Sequence, residues 1–191
     1  MILSNVEIVR CLNDGEFSIE NIEGTDPTKS PFNTSAVDLR LGSEILVPDG
    51  TAPVQLDLRG SGIAQYWSKN SKSKEISDDQ PYSLKPNQLI LANTYEYVSF
   101  PIRQDEGICY SARVEGRSSL ARCGILVHFT APTIHAGFSG TITLEIINLG
   151  IYNFLLTPKM SICQLIIEEV KGVPVSAPNQ FIGQTRPAGV L

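Results

Sequence analysis

The chain has 191 residues, of which 42% are hydrophobic, 18% charged and 7% aromatic. This length suits one core, and the apolar share is enough to offset chain entropy, which excludes a disordered, highly charged tail protein. Fifteen Lys and Arg against twenty Asp and Glu give a net charge of -5, the wrong sign for general phosphate-backbone binding, so nucleic acid is not an expected partner and any anion must be held locally.

Residues Ser4 to Gly15 predict a helix. Ser4-Asn5-Val6-Glu7 has the spacing of a capping box, Ile8, Val9 and Leu12 recur at helical spacing, and Asn13-Asp14-Gly15 is a stop signal. Turn formers including Pro27 and Pro31 fill 24–33, after which Val37, Leu39 and Leu41 alternate with Asp38 and Arg40 as in a half-buried strand. Pro48-Asp49-Gly50 marks a tight turn. From Arg59 to Pro81 the sequence is polar, with Lys69, Lys72 and Lys74 followed by Glu75, Asp78 and Asp79, and reads as a surface loop. Those lysines can reach a phosphate, but lysines among acidic neighbours more often form a solvated face.

From Tyr82 onward, strand-length apolar runs recur over 88–93, 107–114, 125–129, 141–148, 152–156 and 161–170, punctuated by Pro86, Gly137, Gly140, Gly150 and Pro158. This is the pattern of a mainly β protein, a barrel or jelly roll with short helices. Only 117–122 looks helical: Ser118 or Ser119 can cap a turn made by Leu120, Ala121 and Arg122, and Gly124 can end it. The tail over 174–191, with Pro174, Pro178 and Pro187, reads as an extended arm that needs a surface or a ligand to order it. Neither a repeat nor a low-complexity tract divides the chain, and a single domain over 1–191 is expected.

No apolar run approaches the ~18 residues of a membrane span, and the opening Met1-Ile2-Leu3-Ser4 lacks the basic start of a signal peptide. A cytoplasmic location without a membrane partner is expected. Cys11, Cys109, Cys123 and Cys163 lie far apart with no CxxC pair, and neither His128 nor His135 opens an HxE or HxxxH pattern. Free, mostly buried thiols and no zinc site are the expectation.

Two segments can carry chemistry. Glu115-Gly116-Arg117-Ser118-Ser119-Leu120-Ala121-Arg122 combines a glycine, two hydroxyls and two guanidinium groups at the start of a helical turn. Free backbone N–H groups and the forked donors of Arg suit a phosphate there, although such serines also serve as plain caps and such arginines as surface ion pairs. In Thr141-Ile142-Thr143-Leu144-Glu145-Ile146-Ile147-Asn148, period-two geometry puts Ile142, Leu144 and Ile146 on one face and Thr143 and Glu145 on the other. Partial burial would raise the Glu145 carboxyl toward a pKa useful for proton transfer unless a neighbouring Arg held it down; the plain alternative is a carboxylate on a polar edge face. His128, within an apolar run, is expected to be buried and hydrogen-bonded, and His135 exposed in a turn. Neither has the partners of a hydrolase triad.

Taken together, Gly116-Arg117-Ser118-Ser119-Leu120-Ala121-Arg122-Cys123-Gly124, His128-Phe129-Thr130-Ala131, Gly137-Phe138-Ser139-Gly140 and Thr143-Leu144-Glu145 resemble the dCTP deaminases, which share a distorted β-barrel with the trimeric dUTPases. The resemblance extends to Ser35-Ala36-Val37-Asp38-Leu39-Arg40-Leu41, Pro158-Lys159-Met160 and Gln164-Leu165. It implies zinc-independent hydrolytic deamination of dCTP to dUTP and ammonia. Glu145 corresponds to the catalytic glutamate; Ser118, Arg122 and the Ala131 carbonyl position water and base. Arg117, Ser118, Ser119, Leu120, Ala121 and Arg122 bind the nucleotide, with His135, Thr143, Leu144 and Gln184 completing the substrate site. The resemblance also implies Mg²⁺ carried by the triphosphate, no metal held by protein side chains, assembly as a homotrimer or hexamer, dTTP as a possible inhibitor, and 174–191 as a lid.

Departures from the family pattern bear on activity. The family turn Ile-Asp-Pro-Gly is Ile134-His135-Ala136-Gly137 here, and a neutral imidazole cannot copy a fixed carboxylate. Little or no cleavage of dUTP is therefore expected. In the arm motif Gln180-Phe181-Ile182-Gly183-Gln184, Gln180 replaces a basic residue and Phe181 a tyrosine. Two alternatives stand beside the deaminase: a bifunctional enzyme that also hydrolyses dUTP, and a non-catalytic protein that senses deoxynucleotides.

Overall fold

Alternating apolar positions organise most of the chain into strands that close around one buried cluster of Ile, Leu, Val and Phe side chains. A computed structural model describes residues 1–50, 63–104, 107–176 and 183–188. In chain order the elements are α1 (Asn5–Asn13), β1 (Ser18–Glu20), β2 (Phe32–Asn33), β3 (Ala36–Pro48), α2 (Ile63–Lys69), β4 (Ser71–Glu75), β5 (Tyr82–Leu84), β6 (Leu89–Ser99), β7 (Cys109–Gly116), α3 (Ser118–Ala121), β8 (Ile125–Val127), β9 (Thr133–Ile134), β10 (Ser139–Asn148), β11 (Phe154–Leu156) and β12 (Ser161–Val170). One large curled sheet follows the order β8-β10-β6-β3-β12-β7-β9, with β1 on β6 and β2 and β4 on β3, while β5 and β11 form a separate pair. The expected mainly β fold with short helices is what the chain adopts.

Helix α1 begins where the capping signal places it. Ser4 Oγ accepts from the Glu7 N–H at 3.3 Å, but the Glu7 carboxylate turns to Arg10 Nε at 2.8 Å instead of back to Ser4. Ile8, Val9 and Cys11 are its buried face. Phe17 behind it packs edge-on against Tyr110 with ring centroids 5.1 Å apart, an aromatic arrangement that adds to simple area burial.

Two sequence expectations need correction. The polar stretch over 59–81 is not a plain loop: Ile63–Lys69 is helical, and Ser71–Glu75 is a strand paired with β3 from Glu44↔Glu75 to Pro48↔Ser71. β4 is an edge whose side chains are largely exposed, so it carries no apolar alternation, and its lysines discourage further strand pairing. The part of that stretch within 51–62 lies outside the described residues. In α3 the cap residue is Arg117, with no side-chain cap bond, and not Ser118 or Ser119.

Gly124 ends the α3 turn at φ +89° because of what lies beside it. A Cβ there would fall under 3.0 Å from the backbone N and Cα of Gly150. The Leu149 N–H donates to the Gly124 carbonyl at 2.7 Å, so α3 is tied by main chain to the end of β10. Gly124→Ala is expected to destabilise the fold by at least about 2 kcal/mol, from left-handed strain plus displacement of the 149–150 backbone; chemical denaturation gives the value, and a loss under roughly 0.5 kcal/mol contradicts this packing.

Candidate active site

The burial pattern of β10 alternates strictly from Ser139 to Asn148. Ile142, Leu144 and Ile146 enter the core while Thr141, Thr143 and Glu145 line the opposite face, as the period-two reading requires. Across the ladder Glu145 stands opposite Leu91 on β6, with the Thr143–Asn93 pair two residues along the same face. Its side chain is 37% exposed.

What faces Glu145 is a histidine, a neighbour the sequence reading did not name. His128 Nδ1 lies 3.0 Å from Glu145 Oε2, with the ring 8% exposed. The imidazole is set there by two backbone features: the His128 N–H donates to the Glu145 carbonyl at 2.8 Å, and His128 has φ +52°, a left-handed conformation that redirects the chain where β8 ends. The Nδ1 contact is close but off hydrogen-bond direction, and neither ring nitrogen completes a hydrogen bond. Burial pushes the Glu145 carboxyl up, but the His128 ring 3.0 Å away opposes this, and the net effect holds the carboxyl below its ordinary range. The expectation of a raised pKa is therefore corrected, with His128 supplying the counteracting group.

This linkage sets a pH dependence. With His128→Asn the main opposition to burial is removed and only a backbone hydrogen bond still favours the carboxylate, so the Glu145 pKa rises and the acidic limb of a pH–kcat/KM profile is expected to move to higher pH. An unmoved limb would show that His128 does not control this carboxyl.

The arm reaches the same face. The Gly183 N–H donates to the Ser139 carbonyl at 2.6 Å and the Thr141 N–H to the Gln184 carbonyl at 2.9 Å. Gln184 Nε2 donates to the Thr141 carbonyl at 2.9 Å, and Gln184 is 5% exposed. Gly140 permits this approach: a Cβ there would lie 2.8 Å from the Gln184 carbonyl oxygen. Gln180 and Phe181 lie outside the described residues.

The other residues singled out from sequence stand apart from Glu145. Arg117 is anchored, with Nη2 3.2 Å from Asp38 Oδ2 and Nη1 donating to the Ser161 carbonyl at 3.4 Å; Asp38 also accepts from Gln164 Nε2 at 2.9 Å. This joins three of the resembling motifs into one cluster. Ser118, Ser119, Ala121 and Arg122 are exposed and Leu120 half-buried. Arg122 borders an open groove of about 410 Å³ with Cys123, Gly150, Ile151, Tyr152 and Phe154. Among the described residues, no hydrogen bond or ion pair connects Ser118, Ser119 or Arg122 with Glu145. Ala131 and His135 are exposed on the segment flanking β9. Among the described residues, no three His, Cys, Asp or Glu side chains converge as a metal site, and no helix is long and apolar enough to cross a membrane.

Sequence reasoning missed His128 as the partner of Glu145 and missed Asn93 altogether. The available signal for Asn93 was a lone amide inside the apolar run Leu89-Ile90-Leu91-Ala92 before Thr94, a polar group that must find a partner when buried.

The fold and site define a mainly β protein in which a curled sheet carries a half-buried carboxylate on an inner strand, with the terminal arm docked on the same strand. The match among solved structures bears out the architecture: the 2′-deoxycytidine 5′-triphosphate deaminase from Agrobacterium tumefaciens aligns with a TM-score of 0.64 at 18% identity, covering 87% of this chain, while this chain spans 47% of that one. A family model described as dCTP deaminase-like matches residues 2–170, and the chain belongs to that family. It is 34% identical over 97% of its length to a protein named dCTP deaminase, dUMP-forming, from Methanothermobacter thermautotrophicus, covering 91% of that relative. It is also 37% identical to a dCTP deaminase of Shewanella frigidimarina, over 89% of this chain and 84% of that one.

Proposed function

We propose that this chain is a dCTP deaminase that hydrolyses dCTP to dUTP and ammonia. The observation that carries this is Glu145: a carboxylate on an apolar strand, held by His128 below its ordinary pKa and so ionised at neutral pH, ready to accept a proton. In the proposed reaction Glu145 takes a proton from the water that attacks C4 of cytosine, then delivers protons to N3 and to the departing amine. Ser118, Arg122 and the Ala131 carbonyl position water and base. The exposed α3 turn, with Ser119, Leu120 and Ala121 presenting backbone and Arg117 braced by Asp38, receives the triphosphate, and Thr143, the Leu144 backbone and His135 line the nucleoside. Mg²⁺ bound to the triphosphate would share its charge; its donors would be phosphate oxygens rather than a protein carboxylate cluster.

We assign this protein a homotrimeric or hexameric assembly, with nucleotide sites between subunits. Exposed Leu149, Ile151, Tyr152 and Leu155 beside the Arg122 groove supply apolar surface for such contact. The domain is taken to run over 1–191, with 174–191 as the arm that closes on nucleotide; Gln184, already docked on β10, belongs to the substrate site. A cytoplasmic location and inhibition by dTTP accompany this reading.

The test follows purified protein with dCTP and Mg²⁺, resolving dUTP from dUMP chromatographically. Formation of dUTP is the expected result, and binding without ammonia release would shift the chain to a sensing role. A second reading, direct formation of dUMP, is favoured by the dUMP-forming name of the Methanothermobacter relative. His135 argues against it, since the turn lacks a carboxylate to orient water at the α-phosphate. Turnover of dUTP to dUMP comparable with that of dCTP would reverse this ranking.

A further inference from the structure

Six buried side-chain atoms among the described residues lack a hydrogen-bond partner, and all except Ser71 Oγ belong to the Glu145 face, to its neighbour His128 or to the arm docked on β10. Two are the ring nitrogens of His128. The remaining three are oxygens: Asn93 Oδ1, Thr143 Oγ1 and Gln184 Oε1. Asn93 and Gln184 are 9% and 5% exposed. Asn93 is the direct cross-strand partner of Thr143, and Thr143 stands two residues from Glu145 on the same face of β10. The arm roofs the group. Asn93 Nδ2 donates to Thr141 Oγ1 and to the Thr185 carbonyl, each at 3.4 Å, and Gln184 Nε2 is spent on the Thr141 carbonyl. The Asn93 carboxamide leans over Gly42, where an added Cβ would come within 2.7 Å of Oδ1.

Each buried oxygen left unpaired costs about 1–3 kcal/mol, and three on side chains gathered about Thr141, four residues along β10 from a candidate catalytic carboxylate, is a pattern that a ligand would relieve. The two amide oxygens can only accept, and the Thr143 hydroxyl can accept. The absent partner is thus a hydrogen-bond donor. A triphosphate has no donor to give at neutral pH, and the cytosine amine is already assigned to Glu145 and Ala131. What remains on a cytosine nucleotide is a hydroxyl.

We infer that Asn93, Thr143 and Gln184 form an acceptor wall that reads a hydroxyl of the nucleoside, which makes Asn93 and Thr143 determinants of the cytosine nucleotide this chain accepts. This rests on the deaminase reading for the location of the nucleoside. The hydroxyl has three sources: the sugar 3′ position, the 2′ position of a ribonucleotide, or a hydroxymethyl group on C5 of the base. A site built to bond a hydroxyl discriminates strongly against the analogue lacking it, because its own buried groups are then left unpaired.

The experiment compares dCTP with 2′,3′-dideoxycytidine triphosphate, CTP and 5-hydroxymethyl-dCTP on the full chain, measuring kcat/KM by ammonia release and Kd by calorimetry. One of the three hydroxyls is expected to be favoured by roughly tenfold or more, and Thr143→Val and Asn93→Leu to reduce that ratio by about tenfold. Thr143→Ser, which keeps the hydroxyl, is expected to restore it. Thr143→Val should melt no lower than the parent chain, since its hydroxyl has no bond to lose, so a changed ratio cannot be ascribed to unfolding. Ratios that differ by less than about twofold across all variants, or a parent chain indifferent to all three hydroxyls, overturn the inference and leave these oxygens to bound water. If ammonia is released from none of the nucleotides while Kd still discriminates among them, the deaminase reading fails and the acceptor wall stands. Absence of binding to any of the four overturns both.

Discussion

Glu145→Gln is expected to lower dCTP deamination by about 10³-fold, within the range that loss of a positioned general base produces. The substitution keeps the size and planarity of the side chain but removes the proton acceptor. Since Glu145 projects from β10 between Thr143 and Ile147 on a partly exposed face, the strand and its apolar reverse face have no reason to change. The loss should therefore fall on kcat, with dCTP affinity retained by calorimetry; an equal loss of affinity, or activity within tenfold of the parent chain, would remove Glu145 from the chemistry. The same variant reads out the linkage between charge and stability. A carboxyl held low in the folded chain contributes stability that is present at neutral pH and is lost as pH falls through its lowered pKa. Glu145→Gln abolishes that contribution, so the variant is expected to lose less stability than the parent between neutral and acidic pH.

Arg40→Met is expected to cost about 3–5 kcal/mol of folding stability, the usual penalty for leaving one member of a buried ion pair alone. The Glu96 side chain is 2% exposed and that of Arg40 15%, with Nε of Arg40 2.6 Å from Glu96 Oε1. The Arg40 N–H donates to Glu96 Oε2 at 2.7 Å, and the same guanidinium also bonds Glu23 and the Asn21 carbonyl and sits 5.0 Å from the Tyr95 ring centroid. Methionine fills much of the aliphatic volume but leaves the carboxylate with a single backbone donor. For a chain of this size the loss corresponds to a fall in Tm of roughly 10 °C. Adding Glu96→Gln removes the stranded charge and keeps an acceptor for the Arg40 N–H, so the double variant should recover a substantial part. A Tm within about 3 °C of the parent for Arg40→Met alone would show that the pair contributes little.

Much of the architecture was legible because it rests on local pattern. The α1 cap, the alternation in β3 over Val37–Leu41 and the two faces of β10 follow from periods of 3.6 and 2 and from residues that favour turns. β4 was not legible, since Ser71-Lys72-Ser73-Lys74-Glu75 is a strand only through its backbone pairing with β3, and an edge exposed to water carries no apolar signature. The candidate site was half legible. Glu145 and the Arg117–Arg122 turn stood out by residue type, and the arm's Gln184 by its motif. The residue opposing Glu145 was not legible, because His128 lies 17 residues earlier in the chain and meets it only through the pairing of β8 with β10.

The sequence by itself determined which apolar segments become strands, which side of each enters the core, and where chemically capable side chains lie along them, because these depend on spacing within a few residues. Only the tertiary structure decided which side chains meet. β10 lies between β6 and β8, and β12 between β3 and β7, so Glu145 meets His128, Thr143 meets Asn93, Arg40 meets Glu96 and Arg117 meets Asp38 across strands distant in sequence. Periodicity specifies a face but not a neighbour; the neighbour is chosen when strand order and register bury the whole core at once.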